Sequence, residues 1–189
     1  MRDTTIRPKS TIQAHSGDVW DLNDPREDFR WEDVAYSLGN LCRFNGHCRR
    51  FYSVAEHSVH VANLLTQSSQ MALYGLLHDA HEAWTGDITA PMKWMLDMHV
   101  EWVQNRIDHA VWAKAKLPQP SAEIQEAIKV ADLRMLSTEC RDLMHHSKQV
   151  WTCLDGVEPV PYYIHNPLSP GVAANWWLNE LRLHLGGVS

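Results

Sequence analysis

The sequence contains no apolar run as long as the ~18 residues that a membrane span requires, so we expect no membrane-embedded segment. It contains no Lys/Arg block longer than Arg49-Arg50, and its formal net charge is −6 at pH 7. These features exclude the basic surface that a nucleic acid polymer would need. The N-terminal stretch MRDTTIRPKS lacks the apolar segment of a signal peptide. We therefore expect a cytoplasmic protein.

The four cysteines, Cys42, Cys48, Cys140 and Cys153, form no C-x-x-C pair. This argues against a disulfide framework and against a zinc ribbon, and we expect free thiols in a reducing compartment. Internal repeats and low-complexity segments are absent as well. With 44% hydrophobic and 21% charged residues, the 189-residue chain has ordinary globular composition. We expect one domain with an arm.

The apolar pattern predicts an all-α fold. Residues 1–30 form a predicted irregular N-terminal arm, in which TIQAHSGDVWDLNDP could be a short hairpin around Ser16-Gly17. From residue 31 to 189 apolar residues recur with a helical period, and no alternating strand pattern is found. Predicted helices cover about 31–44, 53–66, 70–84, 91–116, 121–146 and 171–185, and a small hairpin around 155–156 could interrupt the loop at 150–168.

Four side chains on three predicted helices have the chemistry of metal ligands. His78 and Asp79 follow an apolar run in GLLHDAHEAWTGDITAP, residues 75–91. His57 lies mid-helix in VAEHSVHV, and Asp132 lies mid-helix in IKVADLRML. A carboxylate in such surroundings is costly to bury unless it is paired or bound to a cation. Two nitrogens and two oxygens suit one divalent ion such as Mn, Co, Fe, Ni or Zn.

Further polar residues surround these four. Glu82 lies three residues after Asp79, on the same predicted helix face, where a general acid/base would stand beside a metal-activated water. Asp87 follows on the Thr85-Gly86 turn. Arg43 and Lys93 come from other elements and could hold a phosphate.

Each of these residues also has a simpler interpretation. A single His-Asp dipeptide occurs often by chance, and His57 alone would more often be a packed or surface histidine. Asp132 alone would more often be a solvated helix residue. From spacing alone, a metal site and a helical protein with incidental histidines therefore both remain possible.

The order H…HD…D on an all-α chain resembles the HD-domain phosphohydrolase superfamily. The segment GLLHDAHEAWTGDITAPMKW is similar to the corresponding part of bacterial 5′-deoxynucleotidases of the YfbR type. The segment CRFNGHCRRFYSVAEHS resembles their Arg-aromatic stretch leading into E-H-S, and the related phage dATP triphosphohydrolases share the pattern. The resemblance covers about residues 35–145. It implies a single HD-domain helical bundle, which we place at 31–189.

The resemblance also implies a role for each matching residue. It makes His57, His78, Asp79 and Asp132 ligands of one divalent metal ion, which could be Co, Mn, Zn, Ni or Mg. It makes Glu82 the catalytic residue that positions or deprotonates water. It places Asp87 against the sugar 3′-hydroxyl, where a 2′-hydroxyl would be crowded out. Arg43 and Lys93 would bind phosphate oxygens, and Phe44 replaces a Trp that lines the sugar or base pocket.

The implied activity is metal-dependent hydrolysis of deoxynucleotides, with water attacking the α-phosphate to release the deoxynucleoside. We favour a 5′-deoxynucleotidase slightly over a dNTP triphosphohydrolase that releases tripolyphosphate, for which Arg49, Arg50 or Lys93 could supply the extra cations. A dinuclear HD phosphodiesterase would need further histidine ligands between Asp79 and Asp132. The alternative of another class is a non-catalytic helical module that senses a metal or nucleotide. The many tryptophans and the apolar last helix lead us to expect a homo-oligomer.

Overall fold

The computed structural model of the chain describes residues 10–96, 98–149 and 151–187. Within these residues the fold is an all-α bundle with one two-stranded sheet, which confirms the predicted fold class. The helices are α1 (Trp31–Asn40), α2 (Val54–Leu64), α3 (Ser69–Leu77), α4 (Glu82–Thr85), α5 (Ala90–Leu96), α6 (Met98–Lys114), α7 (Ala122–Leu143) and α8 (Pro170–Gly186). In these ranges no helix combines the length and apolar character that crossing a membrane would take.

Helices α1, α2, α3 and α8 pack against one another and form the main core. The fully buried Trp177 of α8 donates its indole N–H to the carbonyl of Leu76 at 3.2 Å, just before the end of α3. Gly75 permits α3 to approach α2 closely, because a Cβ there would lie 2.8 Å from Leu65 Cδ1 and 3.1 Å from Ala62 Cα. These contacts hold the C-terminal end of α3 against α2, where His57 lies.

The expected hairpin of the N-terminal arm is present. Strand β1 (Thr11–Gln13) pairs with β2 (Val19–Asp21) in antiparallel register, and Gly17 lies in the turn with φ 89°. The ring of Trp20 stacks on that of Trp84 in α4, with centroids 4.3 Å apart. The described part of the arm therefore packs against the same bundle that carries the candidate site. Residues 1–9 of the predicted arm lie outside the described residues.

The predicted helix at 70–84 is not continuous, because residues 78–81 interrupt it between α3 and α4. Helix α3 ends at Leu77, and residues 78–81 form turns closed by short-range bonds such as Ala80 N–H to Leu77 O, 3.0 Å. One cause is local, because the Nδ1 atom of His78 donates to the carbonyl of Gly75 at 2.8 Å. The side chain thus takes a carbonyl from the last turn of the helix.

Other boundaries also differ from the prediction. Helix α1 stops at Asn40, and a 3₁₀ turn at Arg43–Gly46 follows. Residues 91–116 contain two described helices, α5 and α6, on either side of Asp97, which lies outside the described residues. No strand is found in the described residues of the 150–168 loop, so the small hairpin is not formed there. By contrast, the helix predicted at about 53–66 begins close to the expected place, since the Ser53 hydroxyl accepts from Glu56 N–H and caps α2.

Candidate metal centre

Three of the four predicted ligands, His57, His78 and Asp79, have ligand atoms within 4.8 Å of one another, and Asp132 lies beside His57. Oδ2 of Asp79 lies 3.1 Å from Nε2 of His78 and 3.7 Å from Nε2 of His57. Oδ1 of Asp132 lies 3.1 Å from the same His57 nitrogen. Ligand atoms about 2.1 Å from one ion and at right angles to each other are themselves ~3.0 Å apart. The spacing therefore fits neighbouring ligands of a single ion, and His57, His78 and Asp79 form a cluster that could hold one.

Hydrogen bonds fix both imidazole rings in the tautomer that a metal ligand requires. Nδ1 of His57 donates to Oε1 of Glu139 at 2.6 Å, and Nδ1 of His78 donates to the Gly75 carbonyl. In the neutral ring this leaves the Nε2 lone pair free. Both Nε2 atoms are buried, and neither has an aligned hydrogen-bond partner among the described residues. Two buried nitrogens without hydrogen-bond partners, close to carboxylate oxygens, are the arrangement expected of ligands to one cation.

Negative charge dominates the cluster. A lone pair on His57 Nε2 facing a carboxylate oxygen at 3.1 Å is repulsive unless a cation or a proton lies between them. Burial lowers the pKa of His57, but the charges of Glu139 and Asp132 outweigh burial and the Arg43 guanidinium and raise it to about 9. The same field that favours a proton on His57 favours a metal cation. The residues present therefore fit a divalent ion with mixed nitrogen and oxygen ligands.

Glu139 is a site residue that the sequence interpretation missed. Its side chain is fully buried, and it receives the His57 Nδ1–H as well as the Nε and Nη2 groups of Arg43 at 3.1 and 3.0 Å. Burial raises its pKa, but Arg43 and His57 outweigh burial and lower it. The sequence does contain a signal for Glu139. It lies seven residues, or two helical turns, after Asp132 and therefore shares its face of α7.

Glu82 and Asp87 stand beside the cluster as expected. Glu82 is buried, and its Oε2 atom has no aligned partner among the described residues. Burial, together with the charges of Asp79 and Asp87, raises the pKa of Glu82 well above its usual range. Burial also raises the pKa of Asp87, against the influence of Arg43. A carboxyl group with raised proton affinity next to a metal site has the character of a general acid/base.

A cleft of about 630 Å³ opens onto these groups. Its polar wall contains Asp79, Glu82, Asp87, Asp132, Arg43 and Lys93. The rest of the wall is largely apolar, and Phe44 and Trp151 stand there with ring centroids 6.1 Å apart. Trp151 belongs to the predicted loop at 150–168, in which the sequence interpretation named no site residue. All the predicted substrate residues thus line one cavity, together with a second aromatic ring that was not foreseen.

The two arginines considered for a triphosphate lie away from the cleft. Arg49 and Arg50 line a separate pocket, where their guanidinium groups donate to the carbonyls of Asp142 and His165. They hold loop and helix-end carbonyls and do not face the cleft. A second possible ligand group, Asp79 with His81 and Glu82, shares one carboxylate with the first cluster.

His81 was not among the predicted site residues. Its Nδ1 donates to Asp108 at 3.0 Å, and its buried Nε2 lacks an aligned partner in the described structure.

Comparison with known proteins identifies relatives but no activity. Over 157 residues, 83% of this chain and 85% of the relative, the sequence is 38% identical to the uncharacterized protein YfdR of Escherichia coli strain K12. It is 36% identical over 126 residues to an uncharacterized protein of Rhodobacter capsulatus, which is 62% of this chain and 64% of that one. No family model matches the sequence.

Proposed function

The chain belongs to the same family as YfdR, and we propose that it is a metal-dependent HD-domain phosphohydrolase that acts on deoxynucleotides. The observation that carries the proposal is the pair of buried, unpartnered Nε2 atoms of His57 and His78 around Asp79, at a cleft that also holds Glu82 and two cationic side chains. A sensor would need the ligands but not a buried carboxyl group with raised proton affinity. The resemblance of the H…HD…D order to HD phosphohydrolases supports the same conclusion.

The ion would be held by His57, His78, Asp79 and Asp132. Bound there, a divalent ion supplies Lewis acidity toward a phosphate oxygen and lowers the pKa of a water molecule. Glu139 orients His57 through its 2.6 Å hydrogen bond and keeps its Nε2 lone pair directed at the site. The identity of the ion within the group Co, Mn, Zn, Ni and Mg is left to measurement.

The other side chains act on the proton and on the substrate. Glu82 accepts a proton from the attacking water, because burial and neighbouring charge give its carboxylate a high proton affinity. Lys93 and Arg43 neutralise charge on the phosphoryl oxygens. Two nitrogens of Arg43 are already occupied by Glu139, so Nη1, which lies 3.6 Å from Asp79 Oδ2, is the one directed to phosphate. Asp87 contacts the sugar.

The charge of the cleft favours a monophosphate. Among the described residues that line it, Arg43 and Lys93 are the Lys/Arg side chains, while carboxylates are more numerous. Of the three cations considered as partners of a triphosphate, Arg49 and Arg50 line another pocket, and only Lys93 lines the cleft. We therefore keep the preference for a 5′-deoxynucleotidase, which forms deoxynucleoside and phosphate from a dNMP. The triphosphohydrolase remains the alternative.

The aromatic part of the cleft suits a nucleobase. Phe44 and Trp151 face the same cavity as the cationic groups, and aromatic rings bind bases by stacking without selecting one base. The substrate would thus lie with its phosphate toward Arg43 and Lys93 and its base toward the two rings.

Product analysis tests the proposal. The purified chain is incubated with each dNMP, each dNTP and the matching ribonucleotides, with Mn²⁺, Co²⁺ or Mg²⁺ in turn, and products are separated by chromatography. Deoxynucleoside and phosphate from dNMPs are expected. Tripolyphosphate from dNTPs, with monophosphates untouched, would instead establish the triphosphohydrolase.

Metal analysis of the same preparations distinguishes the enzyme with one ion from a dinuclear enzyme and from a non-catalytic sensor. One equivalent of bound ion is expected, and two would favour a dinuclear enzyme in which Asp79, His81 and Glu82 hold the second ion. Bound metal with no product from any nucleotide would leave the non-catalytic sensor. Absence of both metal and product would contradict the proposal altogether.

A further inference from the structure

Cys42 and Cys48 stand at the two ends of a seven-residue loop, and their sulfur atoms lie 3.7 Å apart. Both thiols are free and partly buried. Since the two sulfurs of a disulfide lie about 2.05 Å apart, bond formation needs only a modest movement of the side chains. The sequence alone did not suggest this pair, because the spacing matches no familiar cysteine motif.

The backbone between the two cysteines has an unusual conformation. Phe44, Asn45 and Gly46 have φ values of 59°, 51° and 78°, three consecutive residues in the left-handed region. Such a conformation is costly for residues other than glycine and is held by the surrounding structure. It turns the chain back on itself and returns Cys48 to Cys42.

The same loop forms one wall of the candidate active site. Arg43, Phe44, Asn45 and His47, all between the two cysteines, line the cleft. We name residues 42–48 the cleft loop. A covalent bond between its ends would therefore act directly on the groups that face substrate.

We propose that Cys42 and Cys48 are a redox modification site, at which hydrogen peroxide converts the two thiols into an intramolecular disulfide across the cleft loop. The thiolate of one cysteine attacks a peroxide oxygen and breaks the O–O bond, which yields a sulfenic acid and one water after proton transfer. The second thiolate displaces the sulfenic hydroxyl, so that the S–S bond forms and a second water leaves. The two sulfurs supply the two electrons that reduce the peroxide.

Peptide mapping of the full chain tests the proposal without any activity measurement. Trypsin cleaves after Arg30, Arg43 and Arg49, so Cys42 is carried by peptide 31–43 and Cys48 by peptide 44–49. The protein is treated with hydrogen peroxide, its remaining thiols are alkylated, and the digest is analysed by mass spectrometry. A linked pair of these two peptides is expected, about 2 Da lighter than their sum and abolished by dithiothreitol.

Burial and the neighbouring Cys42 thiol raise the pKa of Cys48, so the treatment is made at about pH 8.5 to supply thiolate. Recovery of the two peptides separately, alkylated or oxidised to sulfinic or sulfonic acids, would overturn the proposal. The variants Cys42→Ser and Cys48→Ser are matched controls, since each keeps a side chain of similar size and neither can form the link.

A second readout concerns substrate and rests on the proposed function. Because Arg43 and Phe44 lie inside the closed loop, peroxide treatment should change the KM for nucleotide, and dithiothreitol should restore it. The Cys48→Ser protein should show no such reversible change. If the link forms but KM is unaltered, the disulfide exists without influence on the cleft, and that part of the inference is wrong. If no nucleotide is hydrolysed at all, the peptide map still decides whether the disulfide forms.

Discussion

At the scale of single residues, the candidate site depends on side chains that are buried with specific partners. His57 receives its orientation from Glu139, and Glu82 receives its raised proton affinity from burial and from Asp79 and Asp87. Residue type and spacing predicted the candidate ligands and Glu82. They could not reveal the hydrogen bonds that set tautomers and proton affinities, because those bonds join residues distant in sequence.

We expect Glu82→Gln to abolish turnover while metal binding persists. The amide keeps the shape of the side chain but cannot accept the proton of water, so kcat should fall by about 10²-fold or more. Steady-state kinetics with the preferred nucleotide measures kcat, and equilibrium dialysis against Mn²⁺ measures metal binding. Near-normal turnover would show that Glu82 is not the base, and a lost equivalent of metal would show that it is a ligand.

Glu139→Gln should weaken metal binding. An amide oxygen can still accept from His57, but the negative charge that strengthens the histidine ligand is gone, so the Kd should rise about 10- to 100-fold. Titration calorimetry with Mn²⁺ or Co²⁺ measures this change. The control is Glu32→Gln, since Glu32 is an exposed carboxylate near Arg182. Equal affinities in both variants would exclude a role for Glu139 in metal binding.

Glu56 predicts a pH dependence of stability. Burial raises its pKa from 4.5 to about 7, although its carboxylate accepts the N–H of Leu168 at 2.8 Å. The folded state therefore binds the proton more tightly than the unfolded state, and stability is lost as pH rises from about 4.5 to about 7. This loss should amount to roughly 1 to 3 kcal/mol.

The variant Glu56→Gln should lack this loss. Urea unfolding of the metal-free protein at about pH 5 and about pH 8 would show the variant gaining relative to wild type at the higher pH. The other titrating groups are the same in both proteins, so their contributions cancel in the difference between the two free energies of unfolding. If the free energies of unfolding of the variant and the wild type differed by the same amount at both pH values, the raised pKa of Glu56 would be contradicted.

At the scale of elements, the end of α3 decides the geometry of the site. The periodic pattern predicted a continuous helix that would carry His78, Asp79 and Glu82 on one face. In the structure, residues 78–81 form turns, and α4 begins only at Glu82. Local propensity could not show this, because His78 bonding to Gly75 competes with the helix and packing of α8 fixes its end.

Gly75→Ala tests the close approach of α3 and α2. The added Cβ would meet Leu65 Cδ1 at 2.8 Å and the backbone of Ala62 at 3.1 Å, so the Leu65 side chain must move and α2 must shift slightly away from α3. Overpacking should outweigh the better helix propensity of alanine and destabilise the protein by about 1 to 2 kcal/mol. Metal affinity should also fall, because His78 would move from His57. Thermal unfolding and metal titration measure the two effects.

The matched control for this variant is Gly171→Ala. A Cβ at Gly171 meets nothing within 4 Å, so this change should be neutral or slightly stabilising. Equal unfolding temperatures for the two variants would show that the α2–α3 contact tolerates an added methyl group.

At the scale of the whole molecule, the expected homo-oligomer stays a prediction. The tryptophans of the last helix are not its main exposed surface, because Trp177 is fully buried in the core and Trp176 is partly buried against it. Exposed apolar side chains instead gather on α5 and the start of α6, with Trp94 85% and Met95 and Met98 each 73% exposed. Apolar surface of this kind is uncommon on monomers.

Sedimentation velocity should therefore detect a dimer or larger species, and Trp94→Glu should shift it toward monomer. A charge in the centre of an apolar contact is costly when the contact forms. A monomeric wild-type protein at micromolar concentration would contradict the prediction.

By itself, the sequence determined the all-α class, the hairpin near Gly17 and the residue types of the metal cluster. These follow from local periodicity, turn chemistry and the cost of burying unpaired charge, all of which can be read from neighbouring residues. Only the tertiary structure decided that Glu139 supports His57, that Arg49 and Arg50 face away from the cleft, and that Trp151 joins it. Those facts depend on which distant segments pack together, since a side chain's partners are set by the folded core and not by its position in the chain.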